Sequence, residues 1–290
     1  MRRLTVVLPA YQEAAVLPAL LPRLLATLER LEVDWEIVVV DDGSTDETWS
    51  VLEAAASTES RIRALRLSRN FGHQAALSAG LSAARGDAVI TMDSDLQHPP
   101  EIIPLLLAKG LEGHDVVYAV RSSVDSASWF KRRSATLFYR LLNRLTALDL
   151  PEGAADFRFM SRRVVDAILA MPERNRFLRG MTRWVGFSQT TVTYERAARG
   201  AGKTKYTFRR MLAFGWDAMT AFSSFPLRIA SSLGIVTSLV GLVYLGYVLF
   251  VRLFSDRAVP GWTSVTAAVI LFSGVQLICF GMMGQYIGRI

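Results

Sequence analysis

Residues 88–100 read AVITMDSDLQHPP, an apolar, β-branched run that breaks into Asp93, Asp95 and Gln97. If Ala88–Met92 is a buried strand, the period-two pleat points Asp93 and Asp95 the same way. Two carboxylates at a strand mouth repel each other unless a cation or a hydrogen-bond donor lies between them. Hard divalent ions such as Mg²⁺ or Mn²⁺ are held by one or two carboxylates together with substrate phosphates. A metal–diphosphate site therefore fits this stretch. So does a polar strand-to-helix turn, with Asp95 or Gln97 near the start of a helix that begins around Pro100. The stretch alone leaves both open.

Outward from it, the first 120 residues alternate short β-rich runs with helical patterns. Leu4–Leu8, Glu36–Val40, Ile62–Leu67, Ala88–Met92 and Val116–Val120 are expected strands. Ala15–Leu31, Thr45–Ala56, Gln74–Ala84 and Pro100–Lys109 are the expected helices between them. Such alternation predicts an α/β fold with an open, mostly parallel sheet and helices on both faces. Ligands of these sheets bind beyond the carboxyl ends of the strands. The polar clusters fall there: Tyr11-Gln12-Glu13, Asp41-Asp42-Gly43-Ser44 and Asp93-Ser94-Asp95. No G-x-G-x-x-G loop follows the first strand, which argues against a dinucleotide cofactor.

The chain has 290 residues, ample for a core, and its apolar excess is local. No charged residue occurs in 229–251 or in 258–288, and a helix needs about 20 apolar residues to cross a bilayer. Two spans, about 229–251 and 263–287, are expected to form a transmembrane hairpin. Arg209, Arg210 and Arg228 before it and Arg289 after it place the N-terminal part and the C-terminus in the cytoplasm by the positive-inside rule. Arg2 and Arg3 precede an apolar run too short for a signal peptide. The single cysteine, Cys279, falls inside the second span and implies no disulfide or thiolate metal site.

Net charge is +7, unevenly spread. Residues 1–125 carry 11 Lys/Arg against 18 Asp/Glu, a net of −7, while residues 126–228 carry 19 against 7, a net of +12. Three parts follow: an acidic part (1–125), a basic part (126–228) and the membrane hairpin (229–290). The basic block borders the membrane, so anionic lipid or a phosphorylated lipid substrate suits it better than nucleic acid. Residues 129–148 (WFKRRSATLFYRLLNRLTAL) and the aromatic-rich 206–225 are expected as amphipathic helices at the bilayer interface.

The runs VVLPAYQEA, VVVDDGSTDET, NFGHQAAL, MDSDLQHPPE, DFRFMSRRVVD and RGAGKTKY occur in this order over about residues 4–228. The set resembles the family 2 glycosyltransferases of GT-A fold. More narrowly, it is similar to the polyprenyl-phosphate glycosyltransferases, the dolichol-phosphate mannose synthases and bacterial undecaprenyl-phosphate glucosyltransferases among them. The resemblance implies that Pro9, Tyr11, Glu13, Asp41 and Asp42 bind the nucleotide of a sugar donor. It implies that Asp95 and Gln97 ligate Mg²⁺ or Mn²⁺, with Asp93 serving nucleotide, metal or both. Asp156 matches an acceptor-side carboxylate, as a general base or an orienting group. Arg121, Arg132 and Arg133 match the acceptor-phosphate region. Arg199 and Lys205 match a basic loop in which Lys203 is an extra cation. Gln12 stands where the family usually has Asn and Thr204 where it usually has Ser; both keep the hydrogen-bonding type.

The resemblance implies inverting transfer of one sugar from a nucleotide-sugar, UDP-glucose or another UDP-hexose, to polyprenyl phosphate at the cytoplasmic face of the bacterial inner membrane. It further implies a homo-oligomer, a tetramer in bacterial relatives, and a downstream flippase for the lipid-linked sugar. A processive polysaccharide synthase would carry a Gln-x-x-Arg-Trp motif; here Gly180 stands at the Gln position before Arg183-Trp184. A non-catalytic nucleotide-sugar-binding subunit would have lost acidic residues, and all three clusters are intact. A membrane-anchored nucleic-acid binder accounts for the basic block but not for the acidic edge.

Overall fold

Apolar, β-branched runs form strands β1 (Arg3–Ala10), β2 (Asp34–Asp41), β3 (Ile62–Arg66), β4 (Ala88–Thr91) and β5 (Val116–Arg121) of the computed structural model. Between them lie α1 (Leu17–Leu28), α2 (Thr48–Thr58), α3 (His73–Ala83) and α4 (Ile103–Leu111), the last entered through a 3-10 turn at Pro100–Ile102. Each matches an element expected from the alternation. The structure describes residues 1–121, 154–173, 176–194 and 262–287, with positions 227, 229, 232, 236, 239 and 243 between the last two. The amphipathic segments expected at 129–148 and 206–225 lie outside the described residues.

Four further elements follow: β6 (Ala154–Ser161), α5 (Arg162–Ala170), α6 (Leu178–Trp184) and β7 (Gln189–Tyr194). The seven strands form one sheet in the order β3-β2-β1-β4-β6-β5-β7. Every pairing is parallel except those of β6, which runs antiparallel to β4 and β5. A buried parallel sheet needs apolar side chains on both faces, hence runs such as Ile37-Val38-Val39-Val40, all fully buried. Leu4, Val6, Leu8, Ile37, Val39 and Ile90 join the core with α1, α2 and α4. Each such side chain contributes about 1.5–3 kcal/mol on burial. On the other face α3 lies close to β1 because Gly80 has no side chain; a Cβ there would sit 2.3 Å from Val7 Cγ1.

The chain divides into two compact units, Met1–Arg144 with Leu148–Thr207, and Leu145–Ala147 with Phe208–Ile290. In the second, α7 (Trp262–Ile287) runs 26 residues without an Asp, Glu, Lys or Arg. Ile229, Val236, Leu239 and Val243 are helical and exposed, as are Val265, Val269 and Ile278 of α7. Counted over the described residues alone, no helix is long and apolar enough to cross a membrane. Most of the expected first span, and several side chains of the second, lie outside them.

Candidate active site

Parallel register sets the site. Ala10 pairs with Asp41, and Val7 with Thr91, so the loops after β1, β2 and β4 emerge at one edge of the sheet. Because β6 is antiparallel, its first residues return to that edge. Thr91 pairs with Arg158, and Thr91 Oγ1 donates to the Asp156 carbonyl at 2.6 Å. The carboxyl ends of β5 and β7 reach the same edge, Arg121 opposite Tyr194. Arg121 is thus placed there by register, its side chain outside the described residues. Arg132, Arg133, Arg199, Lys203 and Lys205 also lie outside them.

The Asp93–Gln97 loop differs in one respect from expectation. β4 ends at Thr91 and the chain bends over Ser94–Leu96, Leu96 with φ 60°, so the strand pleat does not carry through to Asp93 and Asp95. Asp95 instead accepts the Gln97 amide N–H at 3.1 Å and the Gln97 side-chain amide. The pair sits in a tight turn whose two side chains meet. Asp93 is anchored by His98: the Asp93 N–H donates to Nδ1 at 2.9 Å, and the buried imidazole stacks on Phe157 with centroids 5.1 Å apart. Ser94 Oγ donates to the Pro9 carbonyl at 2.8 Å, tying this loop to the first one. Asp93 Oδ1 is buried without a hydrogen-bond partner.

The first two loops interlock. The Gln12 N–H donates to Ser44 Oγ at 2.9 Å, and the Glu13 N–H to Thr48 Oγ1 at 2.9 Å. Tyr11 stands 42% exposed at the mouth. Asp41 and Asp42 are both buried and do different things. Asp41 Oδ1 accepts the Ser44 N–H at 3.0 Å, whereas Oδ2 is buried without a hydrogen bond, 3.4 Å from Arg66 Nε. That oxygen is an acceptor suited to a base N–H or a ribose hydroxyl. Both Asp42 oxygens accept backbone N–H groups, from Phe71 at 2.8 Å and Gly72 at 2.9 Å. Asp42 thereby shapes the loop that opens α3 and presents His73.

Asp156 lies at the centre of a charged cluster that the motifs do not reveal. It pairs with Arg158, with Arg179 Nη2 at 2.9 Å and with His73 Nε2 at 3.2 Å. Its side chain is 3% exposed. Burial pushes the carboxyl up, but Arg179 and Arg158 outweigh it and, with His73, hold it well below the ordinary carboxylate range. His73 Nε2 also stands 3.5 Å from Asp93 Oδ1. Burial lowers its pKa, yet Asp156 and Asp93 raise it further, so the net shift is upward. One signal for this cluster was present: the chain has three histidines, and two of them, His73 and His98, flank Asp93. Among the described residues no group of three or more His, Cys, Asp or Glu side chains could hold a metal ion by itself.

Residues 5–169 match Glycosyl transferase family 2. An uncharacterized glycosyltransferase YkcC of Bacillus subtilis is 41% identical over 286 residues, covering 99% of this chain and 88% of its own. A prophage bactoprenol glucosyl transferase homolog of Escherichia coli is 38% identical over 287 residues, 99% and 94% of the two chains. The bactoprenol glucosyl transferase of Shigella phage SfV is 37% identical over 288 residues, 99% and 94%. Among solved structures, the glucosyl-3-phosphoglycerate synthase of Mycobacterium tuberculosis, in complex with Mn²⁺, UDP and phosphoglyceric acid, aligns with a TM-score of 0.57 at 23% identity, over 76% of each chain. The α/β fold with its mostly parallel sheet is thus shared with a solved glycosyltransferase structure, and the match over residues 5–169 together with relatives at 37–41% identity shows that the chain belongs to glycosyl transferase family 2.

Proposed function

We propose that this protein transfers one hexose from a UDP-sugar to polyprenyl phosphate on the cytoplasmic face of a bacterial membrane, anchored by two C-terminal spans. The observation that carries the donor side is the pair of buried acceptors without hydrogen bonds, Asp41 Oδ2 and Asp93 Oδ1, in neighbouring loops of one sheet edge. Relatives named for bactoprenol glucosyl transfer, aligned over 99% of the chain, support the acceptor.

Asp41 would receive the nucleoside, with Tyr11 against its base and Pro9 and Glu13 lining the entry. Asp93, Asp95 and Gln97 offer only oxygen ligands to a cation, the set preferred by Mg²⁺ or Mn²⁺, and diphosphate oxygens would complete the shell. When bound, such an ion supplies charge neutralisation of the diphosphate. An oxygen of the lipid phosphate forms the new bond to the anomeric carbon, and the carbon–oxygen bond to UDP breaks with its electrons leaving on the diphosphate. Configuration inverts. The attacking phosphate is already an anion near neutral pH, so no proton needs to be removed.

Purified full-length protein in detergent, given Mg²⁺ or Mn²⁺, UDP-[14C]glucose and undecaprenyl phosphate, should make a labelled lipid. Asp95→Ala should lower that rate by about 10²-fold or more. Absence of labelled lipid with a panel of UDP- and GDP-hexoses, or full activity of Asp95→Ala, would falsify the reading.

A further inference from the structure

We propose that Arg179 and His73, both held by the buried Asp156, form a phosphate-binding subsite beside the Asp93–Gln97 loop, and that Asp156 serves the reaction only through them. The inference rests on the glycosyl-transfer reading above and adds residues to it.

Arg158 is the structural partner of Asp156. It is 2% exposed, closed by Thr182 Oγ1 at 3.1 Å and the Leu178 carbonyl at 3.4 Å, and it lies over the Tyr118 ring at 5.8 Å. That one guanidinium already balances the Asp156 charge. A second guanidinium and an imidazole nonetheless converge on the same carboxylate. Arg179 gives it Nε at 3.2 Å and Nη2 at 2.9 Å, and His73 gives Nε2 at 3.2 Å. Unlike Arg158 they face outward, with 22% and 42% of their side chains exposed.

A carboxylate gripped along one edge of a guanidinium fixes the plane of that group. Asp156 therefore orients Arg179 as a rigid fork at the sheet edge where Asp93 and Asp95 stand. A tetrahedral phosphate matches the geometry of a guanidinium fork. Asp93 Oδ1, buried without a hydrogen bond and 3.5 Å from His73, marks the side on which that ligand would border the cation-binding loop. The phosphate can come from the donor diphosphate or from the acceptor lipid. A base role for Asp156 is inconsistent with three donors already on its two oxygens.

The test uses full-length protein in detergent micelles, with KM and kcat for UDP-glucose and for undecaprenyl phosphate. Direct binding of UDP with Mn²⁺, and of undecaprenyl phosphate, is measured without turnover. Arg179→Gln should weaken one phosphate ligand at least tenfold, with partial rescue in Arg179→Lys. A raised KM and weaker binding for undecaprenyl phosphate alone assigns the acceptor phosphate; weaker binding of UDP with Mn²⁺ assigns the donor diphosphate. Asp156→Asn should reproduce the Arg179→Gln effect, the double variant should add nothing further, and the shape of the pH–rate profile should stay that of the parent. Unchanged affinity for both ligands in Arg179→Gln overturns the proposal, as does loss of an acid limb of the profile in Asp156→Asn. If Asp156→Asn fails to fold, Arg179→Gln and His73→Gln alter outward-facing groups and decide by themselves. Parent protein that binds these ligands but transfers no sugar defeats the reaction, while the binding arms still report on the subsite.

Discussion

Gly43 and Asp42 show at the residue scale why the Asp41–Ser44 turn tolerates little change. Gly43 has φ 67°, and a Cβ there would lie 2.3 Å from the Arg69 carbonyl carbon and 2.7 Å from Asn70 N. These are backbone atoms and cannot rotate away. Gly43→Ala is expected to cost about 2–4 kcal/mol, seen as a lowered Tm, and to weaken UDP binding. Asp42→Asn should cost about 2 kcal/mol, because an amide nitrogen would face a backbone N–H now bound by a carboxylate oxygen. Its effect on UDP binding should follow the displaced 71–73 loop; unchanged stability and unchanged binding would refute that role. Gln12 and Leu96, the two non-glycine residues with positive φ among the described residues, both sit in the site loops. Strain is concentrated where the ligand is expected. None of this is visible in the motif letters, since Asp41 and Asp42 are adjacent, identical in type and different in task.

At the scale of elements, one buried carboxylate joins the strands at the edge opposite the site. Glu36 on β2 accepts Thr5 Oγ1 and the Arg85 N–H, each at 2.8 Å, and faces Arg3 and Arg63 at 3.3 and 3.4 Å. It links β1, β2, β3 and the turn before β4. Burial raises its pKa, but the two hydrogen bonds and the two arginines outweigh burial and bring it below the ordinary 4.5. A depressed folded-state pKa stabilises the fold above the unfolded value, and that contribution is lost as pH falls through the folded value. Glu36→Gln should be less stable than the parent near neutral pH, and its Tm should fall less between about pH 5 and pH 3. Parallel Tm curves for the two proteins would assign the acid sensitivity elsewhere. The elements up to residue 120 were legible because buried parallel strands and amphipathic helices differ in period and composition. β6, α5, α6 and β7 were not, because the antiparallel return of β6 depends on partner strands distant in sequence.

For the whole molecule, the proposed membrane anchoring yields its own test. Cys279 is the sole cysteine and lies within the uncharged α7. In intact membranes it should resist a water-soluble maleimide and react after the bilayer is dissolved. In a Cys279→Ser background, a cysteine introduced at Ser255, between the two uncharged stretches, should label from outside intact bacteria. One at Ser57, on the exposed face of α2, should not. Labelling of Ser57→Cys in unbroken cells would reverse the orientation.

Local order along the chain determined the α/β class, the mostly parallel sheet and the three acidic loops at its carboxyl edge. It could do so because periodicity and turn chemistry act over a few residues, and parallel strands bring successive loops to one side. Only the tertiary structure decided that β6 runs antiparallel and carries Asp156 back to that edge. There it meets His73, 83 residues away, and Arg179, 23 residues away. Ion pairs are made by proximity in space, and no spacing rule along the chain encodes three partners contributed by a helix, a strand and another helix.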